Sequence, residues 1–261
     1  MSDYLVLGHN GYLGSFLSQN LDCDVLNQRY IHDNGKRYKY IINCIGKASL
    51  EYCEDHKEET DYSNALIIND IKKFYPDSKI INFSSYYVYD SPGLCTENSH
   101  TTNKYNYCRQ KLLGESLNFE GLNFRIGKLF GNNLSNQNKL TEYIIAENEL
   151  FIDEILFNPT SVQCVLKVLK NKNFLSDNIG IYNLSNTGVI SHYDYARYII
   201  DKLSLKKNLY RIEKAPKSFD NYGYFTMSVD KILAHCEIDS WTDNLNSYLE
   251  LVNDKFYRNL R

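Results

Sequence analysis

The N-terminal segment constrains the fold more than any other part of the chain. A short apolar run, Tyr4-Leu-Val-Leu7, leads directly into Gly8-His-Asn-Gly11-Tyr-Leu-Gly14, and helical spacing continues from Ser15 to Asn20. The run is typical of a buried parallel strand. Strand, glycine-rich turn and helix in this order are the context of a dinucleotide-binding fingerprint, because glycines let the backbone approach a pyrophosphate and the helix N-terminus supplies N–H groups. The alternative is an ordinary turn between a strand and a helix.

Hydrophobic strands alternate with helices along most of the chain, which predicts an α/β fold with a Rossmann-like, doubly wound parallel sheet. The strands expected after the first lie at 24–27, 40–45, 79–83, 123–130 and 181–184. The expected helices lie at 58–74, 107–120, 140–147, 158–169 and 191–203, with one more at the C-terminal end. We predict an NAD(P)-binding domain at residues 1–157, to which the helix and strand at 158–186 are added, and a smaller C-terminal α/β substrate lobe at 187–261.

The end of the second strand bears on the choice of cofactor. Asn27-Gln28-Arg29 stands where a fold that prefers NAD usually has an acidic residue for the ribose 2′-hydroxyl. An arginine without that acid favours NADP, because a guanidinium can pair with a 2′-phosphate. The sequence therefore favours NADP(H) and leaves NAD(H) open, with the alternative that Arg29 is only a surface charge.

Residues 84–115 carry the strongest candidate for chemistry. Ser84 and Ser85 end a strand, and Tyr107 and Lys111 lie four residues apart, on one face of the helix that follows. A phenol, an ammonium that lowers its pKa and a hydroxyl that holds a substrate oxygen form a proton-transfer device. The spacing Tyr-x-x-x-Lys also starts at Tyr75, Tyr198 and Tyr210. Only Tyr107 begins a helix after a strand that ends in serines, and the alternative for it is a helix-surface pair.

Composition and charge argue against several other classes of protein. The chain has 261 residues and a net charge of −3, without long runs of Lys or Arg, so neither nucleic acid nor an acidic membrane surface is expected as a partner. No apolar run approaches the roughly 18 residues of a membrane span, and a strand begins almost at once, which leaves no room for a signal peptide. Seven cysteines form no C-x-x-C pair, and their odd number suits a reducing compartment. We expect a cytoplasmic protein and predict no metal site.

Several motifs in register resemble the extended short-chain dehydrogenase/reductase superfamily, which modifies nucleotide-linked sugars, and most closely its dTDP-4-dehydrorhamnose reductase branch. The glycine turn matches the cofactor turn of that branch, and Ser84-Ser85-Tyr86-Tyr87-Val88-Tyr89 is similar to its Ser-Thr-Asp-Tyr-Val-Phe strand end. Tyr107-Cys-Arg-Gln-Lys111-Leu-Leu-Gly-Glu115 is close to its Tyr-Gly-x-x-Lys-Leu-x-Gly-Glu. The likeness covers nearly the whole chain, since three later motifs follow in order: Asn158-Pro-Thr, Gly180-Ile-Tyr-Asn-Leu-Ser185 and His192-Tyr-x-x-Tyr-Ala196.

The resemblance implies a set of site residues. Tyr107 would protonate a carbonyl oxygen as hydride arrives, Lys111 would lower its pKa and bind the nicotinamide ribose, and Ser85 would hydrogen-bond the carbonyl. Cofactor contacts are implied for Gly8, Asn10, Gly11, Tyr12, Leu13, Gly14, Ile45, Gly46 and Lys47. Positions that would face the sugar are Tyr86, Tyr87 and Lys128. Glu97 falls where the branch has an acidic loop residue, and the resemblance also allows a homodimer through the helix of Tyr107.

Three functions remain open at this point. The first is an NAD(P)H-dependent reductase of a nucleotide-linked 4-keto sugar, with Tyr107 as general acid. The second is another sugar-nucleotide enzyme; a dehydratase is disfavoured because Tyr86 and Tyr87 replace its Asp-Glu pair, whereas an NAD(P)-dependent epimerase is harder to exclude. The third is a non-catalytic nucleotide-binding subunit, which has no need of a complete Ser-Tyr-Lys set. Lys128 stands where the reductases tend to have an aromatic residue and the epimerases asparagine, so the sugar stays open.

Overall fold

The computed structural model of the protein describes residues 2–26, 31–90, 93–102, 104–131, 140–213 and 225–258. Its strands are β1 Tyr4–Leu7, β2 Cys23–Leu26, β3 Tyr40–Asn43, β4 Lys79–Ser85, β5 Gly93–Cys95, β6 Leu122–Ile126, β7 Lys128–Phe130, β8 Glu149–Ile152, β9 Leu156–Phe157, β10 Pro159–Ser161, β11 Gly180–Leu184, β12 Ile190–Ser191, β13 Asn208–Arg211 and β14 Phe225–Met227. Its helices are α1 Tyr12–Asn20, α2 Leu50–Asp55, α3 Lys57–Asp61, α4 Ile67–Phe74, α5 Asn106–Leu117, α6 Leu140–Ala146, α7 Val162–Lys170, α8 Lys172–Asp177, α9 His192–Lys202, α10 Asp230–Leu233 and α11 Trp241–Arg258. A π-helical turn, Tyr62–Leu66, joins α3 to α4, and a 3₁₀ turn, Tyr86–Val88, follows β4.

Six of these strands form one parallel sheet in the order β11-β6-β4-β3-β1-β2. β1 and β3 are buried along their whole length, as expected of strands that helices cover on both faces. On one face, Phe16 of α1 and Val165 of α7 belong to the core. On the other face, Ile67 and Ile71 of α4 do the same. The predicted doubly wound, Rossmann-like sheet is confirmed.

The chain changes direction across this sheet at β1. From β1 it passes to β2 on one side, and it then returns to β3 on the other side. The loops that leave the carboxyl ends of β1 and β3 therefore diverge and open a crevice, which is where sheets of this kind bind ligands. Gly8 follows β1 directly, and Gly46 follows β3 after a short loop.

A ladder of asparagines crosses the buried centre of the sheet. Asn43, Asn82 and Asn123 occupy the same level of β3, β4 and β6. Asn43 Nδ2 donates to Asn82 Oδ1 at 3.1 Å, and Asn82 Nδ2 donates to Asn123 Oδ1 at 3.2 Å. Because a shift of one strand would leave these buried amides unpaired, the ladder fixes the register of three strands.

Three of the predicted elements are interrupted or begin elsewhere in the structure. The helix expected at 58–74 is interrupted by the π-helical turn, which hydrophobic spacing does not reveal. The strand expected at 123–130 breaks at Gly127, where a Cβ would lie 2.4 Å from Asn158 O. The helix expected from Asn158 begins only at Val162, because residues 159–161 form β10 beside β7. The Ser161 side chain then caps α7 by accepting a hydrogen bond from Cys164 N.

A separate hydrophobic cluster holds the elements around the C-terminal helix. α6, β8, α9 and α11 pack together through Ile144, Leu150, Ile199 and Leu245. The elements between 140 and 157 thus share a core with those after 190, whereas β11 joins the main sheet. The domain boundaries at 157 and 187 stay a prediction. Within the described ranges, every helix is too short or too polar to cross a membrane.

Candidate active site

The turn after β1 has no room for a side chain at two of its glycines. Gly8 adopts a left-handed φ of +74°, and a Cβ there would lie 2.8 Å from the backbone of Cys44. A Cβ at Gly14 would lie 2.2 Å from Gly8 O. The Gly11 N–H donates to Gly8 O at 2.9 Å and closes the turn. The local backbone therefore requires glycine at positions 8 and 14.

The start of α1 suits an anion. Gly11 is the N-cap of this helix, and none of the described side chains caps it. The first N–H groups of a helix lack intrahelical partners and, together with the helix dipole, attract negative charge. The residues present therefore fit the pyrophosphate of a dinucleotide, which would lie against bare backbone at this turn.

Two cavities lie side by side along the crevice and share Ile45 and Lys47. The first measures about 410 Å³, and the predicted cofactor residues that line it also include Gly11, Tyr12, Leu13 and Gly46. The second measures about 480 Å³ and includes Gly8 and Asn10. Gly14 lies under the turn and lines neither cavity, and Arg29 lies outside the described residues. A two-part groove of this kind has the shape that a dinucleotide needs.

Ser85, Tyr107 and Lys111 meet in the first cavity. Ser85 is the last residue of β4, and its side chain shares a hydrogen bond with that of Tyr107, in the first turn of α5. Lys111 Nζ donates to Phe83 O at 3.0 Å and lies 5.8 Å from the centre of the Tyr107 ring. The Ser85 Oγ also accepts from Tyr87 N at 3.2 Å, which fixes its position. A strand end and a helix start thus bring the three predicted catalytic side chains together.

Burial decides the charge state of this triad. It raises the pKa of Tyr107, and the hydrogen bond to Ser85 offsets only part of that rise. The sequence predicted that Lys111 would lower the pKa of this phenol; in the structure, desolvation outweighs every favourable interaction of the phenolate. Burial also lowers the pKa of Lys111 to about 8, although Cys53 and Glu115 act in the opposite direction. At neutral pH the phenol therefore keeps its proton and Lys111 carries its charge.

The hydroxyl of Ser84 is committed to a different partner. Ser84 Oγ donates to Glu115 Oε1 at 2.5 Å, and Glu115 accepts two bonds from Arg125, at 2.9 and 2.7 Å, in a buried ion pair. Arg125 also donates to Glu97 O at 3.2 Å, and Glu97 Oε1 accepts from Asn183 N at 2.8 Å. Glu97, whose role the sequence left open, therefore ties its loop to the sheet and lines neither cavity.

Sequence reasoning missed Asn64, which shapes the backbone between the two cavities. It lies in the π-helical turn, and its Oδ1 accepts from Lys47 N at 2.8 Å while its Nδ2 donates to Lys47 O at 3.1 Å. A Cβ at Gly46 would lie 2.9 Å from Asn64 Oδ1 and 3.3 Å from Lys111 Nζ. The π-helical turn, a feature frequent at functional sites, thus holds the loop after β3 against the triad. The signal of Asn64 in the sequence is a polar residue on the apolar face of the helix, four residues before Ile68.

Tyr86, Tyr87 and Lys128, which the resemblance placed near a sugar, line the first cavity. The rings of Tyr86 and Tyr87 stack with their centres 4.4 Å apart, and Tyr87 meets the Tyr107 ring edge-on at 6.4 Å. Burial raises the pKa of Tyr86 well above its ordinary value, so this phenol stays neutral. The stacked rings form a wall beside the triad, and their contact with a sugar stays a prediction.

Comparison with known proteins gives both a family and a fold. Residues 3–253 match the family model described as RmlD substrate binding domain. The spore coat polysaccharide biosynthesis protein SpsK of Bacillus subtilis is 23% identical over an alignment of 291 positions. The alignment covers 96% of this chain and 98% of that protein. The dTDP-4-dehydrorhamnose reductase of Bacillus anthracis, solved in complex with NADP, has a TM-score of 0.80 and 20% identity and covers 95% of this chain and 98% of its own. The dTDP-4-dehydrorhamnose reductase of Yersinia enterocolitica has a TM-score of 0.81 and 19% identity, with 96% and 99% covered. The two structures share the fold of this chain.

Proposed function

This chain belongs to the RmlD substrate binding domain family, and on that premise we propose that it is an NAD(P)H-dependent reductase of a nucleotide-linked 4-keto sugar. It is an oxidoreductase of the extended short-chain dehydrogenase/reductase type. The observation that carries the proposal is the meeting of Ser85, Tyr107 and Lys111 in a cavity that adjoins the glycine turn. A protein that only bound nucleotides would not need a buried proton donor, a hydroxyl and an ammonium at one point.

The cofactor assignment rests on the turn and on a structural neighbour. The backbone at Gly8, Gly11 and Gly14 and the uncapped start of α1 fit a pyrophosphate. The reductase of Bacillus anthracis, which shares the fold, was solved with NADP. NADP(H) is therefore the favoured cofactor, and the same turn also suits NAD(H) because the pyrophosphate is common to both.

The chemistry of the chain's own residues follows from the geometry. A reduced nicotinamide dinucleotide held at the glycine turn of Gly8, Gly11 and Gly14 would supply the hydride for reduction of the sugar carbonyl. Tyr107 keeps its proton at neutral pH because burial raises its pKa, and it donates this proton to the carbonyl oxygen. Ser85 holds the same oxygen by a hydrogen bond, and the charge on Lys111 stabilises the phenolate that remains. The buried setting of all three strengthens these interactions.

The test is cofactor binding followed by turnover. Binding of NADPH and NADH to the purified protein is measured by calorimetry, and oxidation is then followed by nicotinamide absorbance with dTDP-, UDP- and GDP-linked 4-keto-6-deoxyhexoses. Net oxidation with one of them supports the reductase and names its substrate. Tight cofactor binding without oxidation by any of them moves the assignment to an epimerase or a binding subunit. A protein that binds neither cofactor contradicts the proposal.

A further inference from the structure

The first cavity contains a lysine that the proposed reaction does not use. Lys128 is the first residue of β7, directly after the break at Gly127. A Cβ at Gly127 would lie 2.7 Å from Thr160 Oγ1 and 2.4 Å from Asn158 O, so the chain is closely packed where it leaves β6. β7 then pairs in parallel with β10, with Lys128 opposite Pro159. The half-buried side chain of Lys128 therefore stands on a fixed backbone and lines the cavity.

The described lining of the cavity carries positive charge and contains no acidic residue. The described residues that line it include Lys47, Lys111 and Lys128, and they include neither aspartate nor glutamate. Two buried phenols of the cavity, Tyr86 and Tyr107, have raised pKa values because burial penalises the phenolate, so neither supplies a negative charge. This excess stands in a chain whose net charge is −3. A cavity lined by one sign of charge attracts ligands of the other sign.

Lys47 and Lys111 are predicted cofactor residues, and both also contact protein groups. Lys111 Nζ donates to Phe83 O, and Lys47 Nζ lies 5.2 Å from the centre of the Tyr52 ring. Lys128, in contrast, makes neither a hydrogen bond nor an ion pair with any described residue. Among the described residues, Asp153 attracts this half-buried ammonium through space without contacting it, so an anion in the cavity would add a charge-assisted hydrogen bond.

The carboxylate that Lys128 influences is occupied by other donors. Asp153 Oδ1 accepts from His192 Nδ1 at 2.7 Å and from Ile155 N at 3.1 Å. Burial raises the pKa of Asp153, but the hydrogen bond and the charge of His192, the N–H of Ile155 and, least of all, the charge of Lys128 bring it below its ordinary value. Burial, assisted by Lys128, lowers the pKa of His192. Lys128 therefore acts on this pair through space, and its ammonium stays available to a ligand.

We propose that Lys128 binds an anionic oxygen group of the substrate, so that the cavity selects a sugar nucleotide by negative charge close to the reacting carbon. The inference rests on the proposed function and adds the chemical class that the substrate must present. Two sources offer this chemistry, a carboxylate on the sugar ring and the phosphate attached to its anomeric carbon. An ammonium suits both, because it is a compact charge without the planar geometry of a guanidinium.

The test compares ligands that differ in one charge. Binding of UDP-glucuronic acid, UDP-glucose and UDP is measured by calorimetry, with NADPH present, for the wild type and for Lys128→Met, Lys128→Arg and Lys170→Met. Lys170 is an exposed lysine of α7 and serves as the charge-matched control. Lys128→Arg keeps the charge and should stay within about threefold of the wild type, whereas Lys128→Met should lose roughly ten- to hundredfold in affinity.

The pattern of losses identifies the source of the anion. If the ring carboxylate is bound, the wild type prefers UDP-glucuronic acid to UDP-glucose by about tenfold or more, and Lys128→Met abolishes that preference. If the phosphate is bound, Lys128→Met weakens all three ligands equally. Unchanged affinities in Lys128→Met, or a wild type that binds none of the three ligands, overturn the inference. Failure of the proposed function is recognised separately, because the protein would then either fail to bind NADPH or bind it without oxidising it in the turnover assay.

Discussion

Ser84 and Ser85 are adjacent in the chain, and their hydroxyls serve different parts of the molecule. Ser84 Oγ donates to Glu115 Oε1 at 2.5 Å, in the buried network that includes Arg125. Ser85 Oγ accepts from Tyr87 N and hydrogen-bonds Tyr107 in the cavity. Successive residues of a strand point to opposite sides, so the first serine joins the buried network and its neighbour reaches the predicted catalytic residue Tyr107.

Replacing each serine by alanine should separate these roles. Ser85→Ala should lower kcat by about 10²- to 10³-fold, as does the loss of one donor to a developing oxyanion. Ser84→Ala should leave kcat within a few-fold and reduce the free energy of unfolding by about 1–3 kcal/mol, because a buried carboxylate loses a donor. Steady-state kinetics and urea unfolding of both variants make the comparison. Equal losses of kcat would contradict the assignment.

Removing the Tyr107 hydroxyl should abolish the chemical step and spare the cofactor. We expect Tyr107→Phe to reduce kcat by about 10²- to 10⁴-fold, because the general acid is lost, while the Kd for NADPH stays within about threefold. Tyr198→Phe is the matched control, since Tyr198 also precedes a lysine by four residues on a helix, and its hydroxyl donates to Asn246 Oδ1 at 2.9 Å. Substantial turnover by Tyr107→Phe would exclude it as the proton donor.

Two glycines of the turn should respond differently to alanine. A Cβ at Gly14 would lie 2.2 Å from Gly8 O, so Gly14→Ala should reduce the free energy of unfolding by about 1–3 kcal/mol or more. Gly11 has φ −81°, and a Cβ there would lie 3.3 Å from Gly8 O. Gly11→Ala should therefore fold and mainly weaken NADPH, because Gly11 lines the first cavity and a methyl group would take up space beside the proposed cofactor turn. Denaturant unfolding and cofactor titration test both, and a Gly14→Ala protein as stable as the wild type would be inconsistent with this turn.

Removing one partner of the Glu115–Arg125 ion pair should cost more stability than removing both. Both side chains are almost completely buried, at 5% and 4% exposure. Arg125→Met leaves a buried carboxylate without its partner and should destabilise the protein by about 3–5 kcal/mol. The double variant Glu115→Leu/Arg125→Met should recover a substantial part of that loss, because no buried charge remains. A double-mutant cycle by urea unfolding measures the coupling, and simple additivity of the two single variants would argue against a coupled pair.

Lys111 should destabilise the fold at neutral pH while it serves the site. Its pKa of about 8 is below the ordinary 10.5. Between these two pH values the unfolded chain keeps the proton, whereas the folded chain has lost it. Stability contributed by this group therefore rises with pH from about 8 to 10.5, and the full penalty of the buried charge applies below pH 8. Lys111→Met, which removes that charge, should unfold at higher urea concentration than the wild type at pH 7, with a smaller difference at pH 10, and should have almost no turnover. A wild type that loses stability relative to Lys111→Met between pH 8 and 10 would reverse the sign and refute the shift.

Much of the architecture and the core of the candidate site follow from the sequence alone. The apolar run from Tyr4, the glycine-rich turn that follows it and the helix that carries Tyr107 are each encoded by residues close together in the sequence, so their spacing reveals them. The alternation of strands and helices predicts the doubly wound sheet for the same reason. The motifs that carry the family resemblance are likewise short stretches of sequence, so the family could be recognised before the fold was seen.

Tertiary structure alone decides the properties that depend on distant segments. The contribution of Asn64 requires the π-helical turn to meet the loop after β3, and the break at Gly127 requires the approach of Asn158. The pKa of Tyr107 rises because many elements exclude water from it, which no spacing along the chain records. The sequence shows the positive charge of Lys128, but only the assembled cavity shows that its described lining contains neither aspartate nor glutamate. Burial and charge compensation are relations between segments far apart in the chain, and they exist only after those segments have packed.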